Sequence, residues 1–412
     1  MVSLLINIIN VLVLFYTIRY CIKRRVDSCV LFYCLISLYF INFPLLFDSI
    51  MTTIDGVNQW ERVQIEFNPL WTYGTLNKIL KISIDSLIFN FCFLLSYWLI
   101  CGRKKLISRL SYRSLDTLSL SSLTWGRCFF IAFIGLFFFL SYNGIDSLHR
   151  MSGGEWYENR SNSRILALIT SLVVPVMSVG VIRALFTKDI LRGFIVLIPV
   201  IIIGYFTSAR SQIISVVFYF LFYFFWANKR IKTKNLIIIS VFILVAVFVL
   251  TVLREDVNSF YPLYKDWAYV DLFYVYDVGQ SISTHGLNTL AMIVRDFVPI
   301  NVDDITLLVA DTKYGAGWGS LHPSILGWAY VDLLSFHWLL AVFFGVWLAI
   351  FDRLRHKMPM IIYLAFLSYE FSFLAIAIRG SVHFAYSQLF YPTLLLIGLF
   401  FLDKMKIISC HE

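Results

Sequence analysis

Charge is scarce in this chain: Asp, Glu, Lys and Arg make up only 14% of its 412 residues. A soluble domain carries about 25%. Hydrophobic residues reach 59%, and Phe alone occurs 39 times. A water-soluble fold leaves too much of such a surface wet. Lipid as solvent removes the difficulty, so composition implies a membrane protein. The familiar soluble-enzyme motifs are missing too. There is no P-loop, GxSxG, HExxH or dinucleotide fingerprint, which excludes a nucleotide-driven transporter. Disulfide and metal patterns are equally absent. Cys21, Cys29, Cys34, Cys92, Cys101, Cys128 and Cys410 fall in expected spans or at their cytoplasmic ends, with no CxxC and no Cys/His spacing. No disulfide framework, no metal and no cofactor are expected. The first residues lack a basic n-region and a small-residue cleavage site. Residues 3–21 therefore read as a retained first span, not a removable signal.

What is present is a series of long apolar runs. A spanning helix needs about 20 mostly apolar residues. On that criterion the runs are 3–21, 28–48, 79–101, 128–142, 165–186, 193–206, 212–227, 235–253, 331–351, 358–378 and 382–402. The expected fold is an all-α polytopic membrane protein, one integral domain over 1–412, with about eleven (10–12) transmembrane helices. The runs 193–206 and 212–227 are short and read as a tilted hairpin around a polar turn. One set of alternating loops, from Lys23 to Lys406, holds 21 of the 34 basic residues. That side is cytoplasmic by the positive-inside rule, which puts the N-terminus outside. The net charge of +9 is thus an orienting signal and not a nucleic-acid patch.

The longest outer loop runs from 254 to 330. Such a length is unusual for a structureless connection. Its aromatic stretch from Phe260 to Tyr276 reads as an interfacial helix, with Trp267, Phe273 and Tyr274 at headgroup depth. Residues 287–299 read as a second short helix, and Gly315 to Gly319 as a flexible turn.

The informative pattern is arginine on the outer side, where positive charge is not favoured. Arg210 stands alone in a five-residue turn, and Arg254 ends the 235–253 run. Arg150 lies in the 143–164 loop and Arg379 in the last outer turn. Arginine near lipid is costly and marks function by default. A guanidinium binds phosphate through two parallel hydrogen bonds. His322 follows a glycine-rich turn and precedes an apolar run. A neutral imidazole there suits a general base. The bland readings are snorkelling arginines and a histidine bonded to a loop carbonyl. Asp48, Asp55, Glu61 and Glu66 read mainly as solvated loop charges, the alternative being a catalytic base such as some lipid-linked sugar transferases use, with Asp48 the candidate; Asp304 reads as a cap for a helix from Ile305. Asp85 is expected to pair with Lys81 one turn away, and Glu370 with Arg379. Trp318, Trp328 and Tyr330 read as interfacial anchors or sugar-stacking rings.

The run ending Gly204-Tyr205-Phe206-Thr207-Ser208-Ala209-Arg210-Ser211 and turning into another apolar run resembles the turn of bacterial Wzy-type oligosaccharide repeat-unit polymerases. Arg254, the long loop after it and a histidine near the loop's end also resemble this group and the related O-antigen ligases. The resemblance implies a metal-independent glycosyltransferase in the bacterial inner membrane, with its site facing the periplasm. Its donor would be a glycan on undecaprenyl pyrophosphate, and its acceptor a hydroxyl of the next lipid-linked unit. A chain-length regulator is an implied partner. Arg210 and Arg254 match the pyrophosphate-contacting arginines, and His322 matches the ligase-like histidine. The chain departs from the pattern in lacking arginine-plus-glycine spacing in both large loops. The rival functions are an O-antigen ligase and a flippase for lipid-linked oligosaccharides.

Overall fold

The computed structural model describes residues 1–24, 29–55, 76–102, 124–143, 176–177, 179–184, 190–206, 269–294, 304–315, 321–354, 373–380, 382, 394, 398 and 401. Among these residues there is no strand. The elements are α1 (Val2–Arg24), α2 (Cys29–Ser37), a π-helical turn (Leu38–Asn42) and α3 (Phe43–Asp55). Next come α4 (Leu76–Cys101), α5 (Trp125–Asn143) and α6 (Ile190–Phe206). Then follow α7 (Tyr269–Val278), α8 (Leu287–Val294), α9 (Ile305–Tyr314), α10 (Ser324–Leu333), a 3-10 turn (Leu334–Phe336) and α11 (Trp338–Leu354).

Among the described residues, three helices are long and apolar enough to cross a membrane: Val2–Cys21, Cys29–Ile50 and Lys78–Cys101. They coincide with the runs expected at 3–21, 28–48 and 79–101. The run at 331–351 meets a broken element instead. Ser324–Phe336 and Trp338–Arg353 are bent by 117°, and together they make a fourth candidate span or a re-entrant turn. The break has a local cause. Leu334 takes φ 50, which ends α10, and the His337 ring then bonds back to the Leu334 carbonyl oxygen at 3.0 Å. The runs 212–227 and 235–253 lie outside the described residues, as does most of 358–378 and 382–402.

The chain divides into two compact units. The first comprises Met1–Ser108, Leu263–Arg353 and Leu374–Ser387. The second comprises Arg109–Pro262, Leu354–Phe373 and Gln388–Glu412. In the second, α5 packs on α6. Cys128, Ala132 and Leu136 are buried on one side of this pair, with Val196 and Leu197 on the other. Arg192 lies over the Trp125 ring, 4.9 Å from its centroid.

The first unit is built inside out. Leu5, Leu12, Phe91 and Leu99 are exposed, while Asn7, Asn10, Asn42 and Asn90 are buried. In water that arrangement wastes apolar surface. In lipid it is sensible, because apolar packing gives no preference for helix over lipid and polar contacts join helices. Asn7 and Asn10 share one face of α1, as Ser83, Ser86 and Asn90 share one face of α4. Asn7 donates to Ser83 Oγ at 2.9 Å and to Ser49 Oγ at 2.7 Å. Asn10 donates to Asn42 Oδ1 at 2.6 Å and to Ser86 Oγ at 3.1 Å. Asn90 donates to Asn10 Oδ1 at 3.0 Å and accepts from the Tyr33 hydroxyl at 2.6 Å. The π-turn carries Asn42 into this ladder, where its Nδ2 also donates to the Ser37 carbonyl at 2.9 Å.

Two carboxylates fasten distant parts of the same unit. Asp352, on α11, accepts from the Cys29 backbone N–H at 3.0 Å and from the Tyr97 hydroxyl. Asp332, on α10, accepts from Asn288 N at 3.1 Å and Thr289 N at 2.7 Å, capping α8 from outside that helix. The contact of α11 with α4 is close enough to require glycine. A Cβ on Gly345 would stand 2.6 Å from the Phe93 carbonyl oxygen and would collide with Ser96 Oγ.

Two measurements check this packing. Asn90→Ala leaves Tyr33 and Asn10 without their partner, at a cost of about 1–3 kcal/mol. A lowered thermal midpoint in detergent is expected, and Asn90→Asp, which keeps the acceptor for Tyr33 but loses the donor to Asn10 and Asn42, is expected to be lowered as well. Gly345→Ala overpacks the α4 contact and costs about 1–3 kcal/mol. An unchanged midpoint for Gly345→Ala contradicts the close approach.

Candidate functional site

Of the site residues read from sequence, Arg150, Arg210 and Arg254 lie outside the described residues. His322 and Arg379 are described, both half-buried, and the fold brings Gly380, the neighbour of Arg379, against the His322 backbone. Arg379 sits at the end of a short helical stretch, and Gly380 turns the chain with φ 125. A Cβ at Gly380 would lie 2.8 Å from Ser324 N, 2.9 Å from Pro323 N and 3.0 Å from the His322 carbonyl carbon. Glycine is therefore required twice, once by its backbone angle and once by the close approach. The segment at His322 is tied to α9 by Leu321 N, which donates to the Thr306 carbonyl at 3.0 Å. Asp304 caps α9 by accepting from Thr306 N at 3.0 Å, as the sequence suggests.

A second polar cluster lies between α4, α7, α10 and the turn before α11. A cavity of about 500 Å³ opens here. Lys81, Asp85, Gln280, Tyr330, Ser335 and His337 form its polar wall. Ile88, Cys92, Leu334 and Trp338 form its apolar wall. The rings of Tyr276 and Tyr330 stack with centroids 4.1 Å apart. Lys81 Nζ bonds to the Tyr330 hydroxyl at 2.8 Å and sits 4.7 Å from that ring's centroid. The Tyr276 hydroxyl donates to Asp85 Oδ2 at 2.9 Å. Burial, with the Asp85 charge adding to it, pushes the Tyr276 hydroxyl well above its ordinary pKa and keeps it a donor. Lys78 pairs with Asp277 on α7, and Lys313 pairs with Asp271 at 3.2 Å.

Several expectations are corrected here. Asp85 does not pair with Lys81: its partners are Tyr276 and, at 4.0 Å, His337. Lys81 is drawn to Tyr330 instead, because two tyrosine faces and a hydroxyl offer it a better-shaped site than its helical neighbour does. Asp48 is not a solvated loop charge, since α3 continues through it and buries it completely. Phe273 and Tyr274 do not lie on an open helix face. With Leu272, Val275 and Tyr276 they are buried in protein, because α7 is covered by α10 and α4. Trp328 and Tyr330 are likewise interior and not interfacial anchors. Trp267, Trp318 and Glu370 lie outside the described residues.

The sequence did carry a signal for the second cluster. Lys78, Lys81 and Asp85 recur at helical spacing on one face of α4. Nothing local linked that face to Tyr276 and Tyr330, which are 195 and 249 residues beyond Lys81.

Compared with protein-family models, with curated proteins and with solved structures, the chain matches none of them.

The tyrosine gives a pH dependence. An unfolded tyrosine ionises near pH 10, whereas folded Tyr276 still holds its proton there. The unfolded state therefore binds fewer protons, and stability falls as pH rises above about 10. Tyr276→Phe is expected to remove part of that alkaline slope in denaturation measured from pH 8 to 11. At pH 7 the same variant loses about 1–3 kcal/mol, because Asp85 Oδ2 loses its donor.

Proposed function

We propose that this chain is a membrane-embedded glycosyltransferase that polymerises undecaprenyl-pyrophosphate-linked oligosaccharide repeat units on the periplasmic face of a bacterial inner membrane. The observation that carries the reading is the packing of the Arg379–Gly380 turn on His322, Pro323 and Ser324. A cation suited to phosphate and a ring suited to proton transfer thus come from stretches 57 residues apart. The proposed topology has about eleven spans and puts both residues on the outer side.

The chemistry asks little of the protein. The donor is already activated as a pyrophosphate ester. Arg210, Arg254, Arg150 and Arg379 neutralise the charge that develops on the departing pyrophosphate. His322 accepts the proton of the attacking sugar hydroxyl. Holding donor and acceptor in register supplies the rest of the rate. Neither a metal nor a nucleotide sugar enters this scheme.

A deletion strain is expected to accumulate single lipid-linked repeat units on the outer leaflet. Accumulation on the inner leaflet instead points to a flippase, and long polymer left on the lipid carrier points to a ligase. Arg210→Ala is expected to abolish polymer while the protein still inserts. Gly380→Ala, which drives a methyl group into the His322–Ser324 backbone, is expected to cut polymer at least tenfold. Normal chain length in both variants sinks the assignment.

A further inference from the structure

His337 is the unexplained group of the second cluster. It is almost wholly buried, at 3% exposure, yet it lines the cavity. Its Nδ1 lies 3.0 Å from the Leu334 carbonyl oxygen. A carbonyl only accepts, so Nδ1 carries the hydrogen and Nε2 of the neutral ring presents a lone pair. That Nε2 has no hydrogen-bond partner. It faces Asp85 Oδ1 across 4.0 Å, too far for a direct hydrogen bond. Two acceptors thus confront each other across this gap, which is costly unless something donates to both.

The surrounding charges are accounted for. Tyr276 occupies Asp85 Oδ2, leaving Oδ1 for the cavity. Lys81 is held by Tyr330 and makes no ion pair with Asp85. Gln280 and Ser335 are neutral. A nitrogen about 2.8–2.9 Å from each acceptor spans a gap of this width. A hydroxyl brings one hydrogen and leaves one acceptor empty; a water brings two and serves both acceptors but leaves the Asp85 charge in place. An ammonium brings three and also neutralises the Asp85 charge. Trp338, Ile88, Cys92 and Leu334 offer an apolar wall for an alkyl chain.

We infer that this cavity binds a primary ammonium group carried on an apolar chain, held between Asp85 and His337. The chemistry is shared by amine-bearing membrane lipids and by free alkylamines. The site is separate from the glycosyltransferase reading and stands or falls without it.

The test uses the full-length protein labelled with 15N-histidine, in nanodiscs of phosphatidylglycerol at pH 7. His337 signals are assigned with His337→Gln. Butylammonium is expected to shift the Nε2 resonance of His337 saturably, whereas butanol at the same concentration does not. Asp85→Asn still accepts from Tyr276 and keeps the fold, but is expected to weaken butylammonium binding at least tenfold. A shift already present in phosphatidylethanolamine nanodiscs identifies the lipid headgroup as the source. Its absence there, with butylammonium still binding, identifies a free amine. The inference is overturned if butylammonium gives no saturable shift, if butanol binds equally well, or if Asp85→Asn binds like the parent. A doubly protonated His337 without ligand also overturns it, since an imidazolium would then close the gap to Asp85 itself.

Discussion

Amide-to-amide hydrogen bonding inside the bundle of α1, α2, α3 and α4 is the constraint on which the first unit rests. Lipid competes with every apolar contact these helices make, so apolar area alone gives them no reason to associate. Four asparagines supply that reason. Asn42 Oδ1 accepts from Asn10, Ser86 and Asn90, so one side chain joins the π-turn to α1 and to α4. Because each amide has a direction, sliding any helix by one residue breaks several bonds together. Register is therefore set by polar groups, and the apolar residues outside them are free to meet lipid.

With α4 fixed in this way, its first turns become a platform. Lys78, Lys81 and Asp85 stand on one face of it, and α7 and α10 close over them. The cluster is a balance of competing preferences. Lys81 prefers tyrosine faces, Asp85 takes the tyrosine hydroxyl, and His337 is turned by its own backbone. The cavity between them follows from these choices and not from any loop inserted to form it. The 117° break before α11 belongs to the same arrangement, because it delivers His337 to the cavity wall.

Part of this was legible in the sequence. The first three apolar runs are long, and hydropathy alone located them. The Asp304 cap was readable because N-capping is a local interaction. The stretch at 331–351 was harder. Its composition suits a span, but the positive φ at Leu334 leaves no mark on hydropathy. Asp48 was misread for a related reason: α3 runs past the apolar segment, so a charge at its apparent edge is interior. At the site, His322 and Arg379 were found as residue types in a suggestive setting. Their apposition depends on a glycine whose neighbour is 56 residues away, and no spacing rule reports that.

The link between Asp352 and Cys29 has a consequence in time. The two are separated by 323 residues, and the first unit is assembled from three stretches of chain. At about 5–20 residues per second of synthesis, the partner of the Cys29 N–H emerges roughly 15–60 s after Cys29 itself. During that interval α1, α2 and α4 can already be joined by their asparagines. The closing carboxylate then arrives as a late clasp, so the amide ladder serves as a holding device for a half-made protein as well as a brace for the finished one.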